Sequence, residues 1–225
     1  MARSSSRRKT APTDPRAAAR AARESVYREH ILAAAERVFA DKPFDEAKVQ
    51  DISRQAGLSM GSIYGLFPGK EQIFEAVAEQ RGREILVLVR EVVARHDDPL
   101  QTLEAIATTY IHYLHDHPNF LRMNLRTGAA WALQTKTAHN VAEEVHQLQS
   151  QVFARGTEAG IFVDEDPAYL AHLFTGIDQI HLAHWVQTGM RHSREELRES
   201  FLRLLRRTFL VKPPREGRER SNRLR

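Results

Sequence analysis

The segment from Val49 to Lys70 constrains the fold more than any other part of the chain. Ile52 and Ala56 lie four residues apart, so both can occupy one face of a helix. Gly57 follows directly, and glycine tolerates the left-handed backbone of a sharp turn at a helix end. The spacing therefore predicts a helix that ends at Gly57 and is followed by a tight turn.

A second short helix is predicted immediately after this turn. Ser59 is a suitable N-cap, and Ile63 and Phe67 share a face that points back toward the first helix. A plain helical hairpin would also explain this spacing. The opposite face of the second helix is free, and its small or hydrogen-bonding groups suit the major groove of DNA. The residues on that face are Ser59, Met60, Gly61, Ser62 and Tyr64.

The residues on both sides favour DNA binding over a plain hairpin. The segment from Ile31 to Val77 resembles the DNA-binding domain of the TetR family of one-component transcriptional regulators. The resemblance rests on residues in register: Ile31-Leu32-Ala33-Ala34-Ala35, Phe39, Ile52, Ala56-Gly57, Ile63-Tyr64, Phe67 and Lys70. It implies a dimeric regulator whose N-terminal domain binds DNA and whose larger C-terminal domain binds a small molecule.

The same resemblance implies roles for individual residues. The second helix would enter the major groove, with Tyr64 and Lys70 as phosphate contacts. Lys70 also has an argument of its own, because it follows Pro68-Gly69 and begins a helix whose free N–H groups attract phosphate. The predicted DNA-binding set is Lys48, Gln50, Ser59, Met60, Gly61, Ser62, Tyr64 and Lys70.

The chain departs from the family pattern near the start of the first of these helices. Pro43 stands where a glycine is usual, and Ala47 and Lys48 replace a Ser/Thr pair. The usual cap is therefore missing. We expect Asp45 to cap the helix instead, and Lys48 to replace the hydroxyl contact with a charge aimed at the DNA backbone.

Charge is distributed unevenly along the 225 residues. Residues 1–70 hold 13 Lys/Arg against 8 Asp/Glu, residues 71–211 hold 14 against 19, and residues 212–225 hold 6 against 2. Basic ends around an acidic middle are expected when one part meets a polyanion and another part meets small molecules or a second subunit. There is no cysteine, no long apolar run and no signal peptide, so we expect a cytoplasmic protein without membrane segments.

Helical spacing continues through the rest of the chain, and no segment alternates as a strand would. The predicted fold is all-α, with a three-helix DNA-binding domain and a larger helical domain. One helix, from Lys70 to Arg95, is predicted to link the two. The predicted divisions are a disordered basic arm at 1–22, the DNA-binding domain at 23–70, the effector-binding and dimerisation domain at 71–211, and a disordered basic tail at 212–225. A helix from Pro15 through the alanines is the alternative for the second part of the arm.

Large aromatic residues and a few polar groups in the acidic half predict an effector pocket between helices. The candidates are Tyr110, Phe120, Asn124, Trp131, Phe153, Phe174, Asp178 and His181. Ordinary core packing is the alternative for each of them. Dimerisation through the last two long helices is implied by the resemblance, and the expected interface residues are Phe174, Trp185, Leu197, Phe201 and Leu205.

Histidine clusters invite a metal hypothesis, but no spacing completes a convincing ligand set, and no metal or cofactor is predicted. No catalytic motif is present, and we do not expect an enzyme. The sequence predicts a regulator, most simply a repressor that leaves a palindromic operator in double-stranded DNA when an effector binds. The alternative is a helical scaffold whose basic ends bind nucleic acid or an anionic surface non-specifically.

Overall fold

The computed structural model describes residues 14–127 and 136–211, and within these ranges the fold is all-α, as predicted. The only β-type pairing there is an isolated antiparallel bridge between Phe162 and Leu210. None of the described helices is long and apolar enough to cross a membrane. The helices are α1 Pro15–Asp41, α2 Val49–Ala56, α3 Met60–Tyr64, α4 Lys70–Arg95, α5 Pro99–Asp116, α6 Pro118–Thr127, α7 Lys136–Glu158, α8 Pro167–Gln187 and α9 Arg194–Phe209.

Helix α1 begins earlier than the sequence suggested. The Asp14 carboxylate accepts a hydrogen bond from the Arg16 backbone N–H at 3.0 Å, and Pro15 occupies the first turn, where its missing N–H costs nothing. The alanines that follow have the highest helix propensity. Residues 15–22 are therefore helical, which was the predicted alternative to disorder, while residues 1–13 and the predicted tail at 212–225 lie outside the described residues.

The chain divides into two compact units, Met1–Val77 and Ala78–Arg225, so the division lies after Val77 and not after Lys70. Helix α4 contributes residues to both units. In the first unit the rings of Phe39, Phe44 and Phe74 pack together, with centroid separations of 5.8, 5.2 and 5.1 Å. This aromatic cluster joins α1, the loop before α2 and the start of α4.

The second unit buries one continuous apolar core formed by residues of α4 to α9. Phe153, Phe174 and Phe209 lie at its centre, with ring centroids between 5.0 and 6.4 Å apart. The core is closed at one end by the bridge, where the Val163 N–H donates to the Phe209 carbonyl at 2.9 Å.

The five residues predicted for the dimer interface belong to this core. Their exposed fractions are 3% or less, so they are already buried within a single chain. The interface prediction is wrong for Phe174, Trp185, Leu197, Phe201 and Leu205. Helical spacing reveals an apolar stripe, but it does not reveal whether the stripe packs within a subunit or between subunits.

A different apolar face of the same helices is exposed. Ile180 is 73% exposed and Tyr169 58% exposed on α8, and Leu204 is 39% exposed on α9. Tyr169, Leu173, Gly176 and Ile180 follow one another at intervals of four, three and four residues, so they share one side of α8.

Gly156 is expected to be required for packing in α7. A Cβ atom at this position would lie 2.1 Å from the ring of Phe162, which is itself 1% exposed. We predict that Gly156→Ala lowers the free energy of unfolding, because overpacking costs about 1–3 kcal/mol and exceeds the gain of about 1 kcal/mol in helix propensity. Chemical denaturation measures the difference.

A double-mutant cycle provides the control for this prediction. In a Phe162→Ala background the steric conflict is gone, and the same Gly156→Ala change should become neutral or stabilising. A cost that is equal in both backgrounds would contradict the assigned contact.

Candidate DNA-binding surface and effector pocket

Helices α2 and α3 form the predicted helix-turn-helix. Gly57 ends α2 with a φ of 66°, the left-handed conformation that favours glycine. The Ser53 hydroxyl donates to the Leu58 carbonyl at 2.6 Å and holds the turn together. Ile52 and Ile63 are fully buried, so each helix directs one face into the domain. The other face of α3 is thereby fixed outward.

The exposed side of α3 contains the predicted base-proximal residues. Ser59 is the N-cap of α3, as predicted: its hydroxyl accepts a hydrogen bond from the Ser62 backbone N–H at 3.1 Å. The hydroxyls of Ser59 and Ser62 lie 2.9 Å apart. Ser59 and Gly61 are exposed, and Met60 and Ser62 are half-buried. Tyr64 is 52% exposed. These five residues therefore share an accessible surface of small and hydrogen-bonding groups.

The start of α2 differs from the prediction. Asp45 is exposed and does not cap the helix; the N-cap residue is Lys48. The Asp51 carboxylate accepts from the Lys48 backbone N–H at 3.3 Å and from the Lys42 ammonium at 2.8 Å. The hydrogen bond from Lys42 holds the pKa of Asp51 below its usual value. A residue inside the first turn thus performs the capping that was assigned to Asp45 before the helix.

Lys48 and Gln50, also predicted for DNA binding, are exposed beside this capped turn. The exposed position of Lys48 agrees with a role for its ammonium outside the domain.

Lys70 has a structural role that the sequence did not indicate. Its ammonium donates to the Phe44 carbonyl at 2.6 Å and lies 4.3 Å from the centroid of the Phe44 ring. These contacts tie the first turn of α4 to the loop before α2. Any phosphate contact by Lys70 must therefore use its remaining donors.

We predict that Lys70→Ala and Tyr64→Ala differ in their effect on stability. Lys70→Ala should lower the free energy of unfolding by about 1–2 kcal/mol, through the lost carbonyl hydrogen bond and cation–π contact. Tyr64→Ala, at an exposed position, should change it by less than about 0.5 kcal/mol. Both should weaken binding to DNA of any sequence.

Denaturation and DNA titrations at several salt concentrations measure these effects. If Lys70→Ala leaves both the affinity and its salt dependence unchanged, Lys70 is only a structural brace.

A cavity of about 170 Å³ lies between the helices of the second unit. Four predicted pocket residues line it: Tyr110, Phe120, Asn124 and Asp178. Trp131 lies outside the described residues. Most of the wall is apolar and includes Ile85, Leu114, Leu121, Val141, Val145 and Leu182. A largely apolar cavity with a few polar groups is typical of a small-molecule site.

Three predicted pocket residues do not line this cavity. Phe153 and Phe174 are fully buried in the aromatic core. His181 belongs to α8, and its side chain contacts α9. Its Nε2 is 3.3 Å from the Leu197 carbonyl and 3.0 Å from the Ser200 hydroxyl. Burial holds its pKa below the usual value. The sequence could not separate pocket from core here, because both contain large side chains at helical spacing.

Three polar pocket residues were missed, His146 on α7 and Thr175 and Gln179 on α8. The His146 Nε2 lies 3.2 Å from the Thr175 hydroxyl. The fully buried Gln149 donates to the Tyr110 hydroxyl at 3.2 Å and accepts from Thr175 at 3.5 Å. The hydrogen-bonded side chains of His146, Thr175, Gln149 and Tyr110 thus form a polar line beside the cavity. Thr175 was detectable from the sequence, since it lies one helical turn before Asp178.

Asp178 is a buried carboxyl group at the wall of the cavity. It is 7% exposed, and its Oδ1 has no hydrogen-bond partner among the described residues. Burial raises the pKa of its carboxyl to about 7. Burial also raises the pKa of the neighbouring Tyr110 hydroxyl, and the charge of Asp178 adds to that effect. The phenol therefore stays protonated throughout the physiological range.

Asp178 should make the stability of the protein depend on pH. Its folded pKa of about 7 lies above the value of 3.8 expected when it is exposed, so between these values the folded state holds more protons than the unfolded state. Stability due to this residue is therefore fully present below about pH 4 and decreases as pH rises to about 7.

We predict that Asp178→Asn removes this component of the pH dependence and increases stability at pH 8, by at most about 4 kcal/mol. Unfolding titrations at pH 5 and pH 8 test the prediction. An equal difference between wild type and variant at the two pH values would show that the carboxyl titrates normally.

The histidine clusters do not assemble into a metal site in the described part of the chain. No group of three or more His, Cys, Asp or Glu side chains is placed there to hold an ion.

Comparison with known proteins agrees with the division of the chain. Residues 31–77 match the family model described as bacterial regulatory proteins, tetR family, and this segment ends where the first compact unit ends. The uncharacterized HTH-type transcriptional regulator YuxN of Bacillus subtilis is 24% identical over 161 residues, which is 71% of this chain and 55% of that protein. A Mycobacterium tuberculosis regulator of the same description, MT1294, is 28% identical over 120 residues, or 52% and 54% of the two chains. The chain thus spans about half the length of these two curated relatives.

Solved structures share the fold. A tetR-family regulatory protein from Rhodococcus RHA1 has a TM-score of 0.70 at 18% identity, covering 83% of this chain and 98% of that one. The regulator FadR from Bacillus subtilis, solved in complex with stearoyl-CoA, has a TM-score of 0.68 at 19% identity, covering 79% and 96%. At these identities the likeness shows the fold alone.

Proposed function

We propose that this chain, a member of the tetR family of bacterial regulatory proteins, is a sequence-specific DNA-binding transcriptional regulator controlled by a small molecule. The observation that carries the proposal is the helix-turn-helix at residues 49–64, which lies within the family match and presents an accessible face on α3. We expect the protein to act in the cytoplasm, where its DNA would be.

Base reading is assigned to the exposed side of α3. The hydroxyl of Ser62 can donate to or accept from a base edge, and the Met60 side chain offers an apolar surface to a thymine methyl. Gly61 has no side chain to hold the backbone away from the groove. Tyr64, Lys48, Gln50 and the remaining donors of Lys70 are assigned to the phosphates, which position the helix but do not read sequence.

A specificity ratio tests this function against the scaffold alternative. DNA fragments selected from random sequence by the full chain should share a palindromic motif, and binding to that motif should be at least a thousandfold tighter than to a scrambled duplex at the same salt concentration. Ser62→Ala or Met60→Ala should alter the preference among motif variants, since each good base contact is worth about 1–3 kcal/mol. Binding without sequence preference would support the scaffold.

We propose that the protein binds DNA as a homodimer, because one short helix reads only a half-site and the family resemblance implies pairing through the last two long helices. The proposed interface is the exposed apolar face of α8 and α9, marked by Tyr169, Ile180 and Leu204. A second copy related by a two-fold axis would cover the same face on both chains.

Ile180→Glu should separate the subunits, whereas Leu205→Glu should unfold them. Ile180 is 73% exposed in the single chain, so a charge there is tolerated by the monomer but is repeated across a shared interface. Leu205 is 0% exposed, so its replacement buries a charge in the core. Light scattering and far-UV circular dichroism should show a folded monomer for Ile180→Glu, with at least tenfold weaker operator binding.

Val87→Glu is the matched control for this pair. Val87 is 51% exposed on α4, so the variant introduces the same charge at a similarly exposed site away from α8 and α9. This variant should remain dimeric. An Ile180→Glu variant that is an intact dimer on its operator would refute the proposed face.

The cavity of the second unit is the proposed effector site. Gly82 and Ile85 of α4 line this cavity. The same helix begins at Lys70, whose ammonium donates a hydrogen bond to the Phe44 carbonyl in the loop before α2. An effector that favours one position of α4 would thereby bias the DNA-binding unit, and DNA release would follow from its unequal affinity for the two states. The stearoyl-CoA complex of FadR supports a small-molecule effector in this fold.

We assign the cavity a binding role and not a catalytic one, because its polar groups suit the orientation of a ligand. The polar side chains that line the cavity with Asp178 belong to Tyr110, Asn124, His146, Thr175 and Gln179.

A further inference from the structure

We propose that the cavity binds a small lipophilic amine, whose ammonium group pairs with the carboxylate of Asp178. The proposal rests on the cavity being the effector site of the proposed regulator, and it assigns the chemical class of the effector.

Asp178 is a buried carboxyl group at the cavity wall. This residue lies on α8 among the cavity-lining residues Thr175, Gln179 and Leu182. Only 7% of its surface is exposed, and its Oδ1 has no hydrogen-bond partner among the described residues. A buried carboxylate without a donor is costly, so native proteins rarely keep one without a reason. A ligand that brings N–H donors and a positive charge removes this cost.

No cationic side chain competes for Asp178 among the described residues of the cavity wall. The described residues that line the cavity include neither lysine nor arginine. His146 is the only lining residue with a basic side chain, and burial lowers its pKa, so it is neutral near pH 7 and remains close to the Thr175 hydroxyl. A carboxylate or phosphate ligand would meet Asp178 without a compensating charge.

The rest of the wall defines the body of the ligand. Ile85, Leu114, Phe120, Val141 and Leu182 make most of the surface apolar, so the body is hydrocarbon. The volume of about 170 Å³ lies below the range of about 300–1,000 Å³ for drug-sized ligands. A single ring or a short chain suits this space.

Proton release should accompany binding. The titratable groups that line the cavity with Asp178 are Tyr110 from α5 and His146 from α7, whereas α4 and α6 contribute Gly82, Ile85, Phe120, Leu121, Asn124 and Leu125. The phenol stays protonated and the imidazole stays neutral near pH 7. Since burial raises the pKa of Asp178 to about 7, a cationic ligand that selects its carboxylate displaces a proton at pH 6.5.

Isothermal titration of the full chain with three probes tests the proposal. The probes are 4-phenylbutylamine, 4-phenylbutanol and 4-phenylbutyrate, which share one apolar body and differ in the head group. The amine should bind at least tenfold more tightly than the alcohol at pH 7.5, and the acid should show no saturable binding. At pH 6.5, titrations in two buffers with different ionisation enthalpies should reveal proton release with the amine only.

Variants assign the preference to Asp178. Asp178→Asn should abolish the tenfold preference for the amine and leave the alcohol affinity within about twofold. Asp164→Asn makes the same chemical change at an exposed position outside the cavity and should retain the preference. If Asp178→Asn does not fold, the order of the three probes on the wild-type chain decides the question.

Three results overturn the proposal: an alcohol or acid that binds as tightly as the amine, no saturable binding of the amine, or a folded Asp178→Asn variant that keeps the amine preference. None of these titrations contains DNA. A failure of specific DNA binding would refute the proposed function and leave the amine result intact, whereas a preference for the acid would refute only the ligand class.

Discussion

The orientation of α3 depends on the burial of Ile52 and Ile63 in the interior of the first unit. Both side chains are fully buried, and Gly57 between them supplies the left-handed turn that brings α2 and α3 together. With one side of α3 fixed inward, its polar residues can only face outward. The Phe39–Phe44–Phe74 aromatic cluster then supports this arrangement from behind, and Lys70 fastens α4 to the same loop. In the proposed function, core packing in the first unit thus determines which face of α3 is presented to DNA.

The second unit presents the opposite case, because it buries a carboxyl group whose Oδ1 has no hydrogen-bond partner among the described residues, that of Asp178. Asp178 costs stability where it stands, and a packed apolar residue would cost less. A buried titratable group at a cavity wall is typical of a functional site, because such a group can bind a ligand although it does not stabilise the fold. The polar line from Gln149 to Thr175 and His146 is satisfied by its own hydrogen bonds, so the unsatisfied residue is the one that specifies the ligand.

Local signals carried most of what could be predicted from the sequence. The structure confirms the features that depend on neighbouring residues, which are the helical spacing, the turn at Gly57 and the Ser59 cap. Contacts between distant residues were not predictable: Asp51 caps α2 with help from Lys42, and Lys70 contacts Phe44. The choice of interface residues failed for the same reason, because Leu205 and Ile180 are both apolar residues on long helices and only the fold shows that one is buried and the other exposed. Pocket residues were separable from core residues only where a polar group, such as Asp178, interrupted an apolar face.

Methylation interference on the selected operator tests whether α3 reads sequence in the major groove, because methyl groups on guanine N7 lie in that groove. The account predicts two short interference segments related by two-fold symmetry and centred about 10 base pairs apart, or a multiple of that distance. Interference that is spread evenly along the duplex, or no interference from guanine N7 methylation, would contradict it.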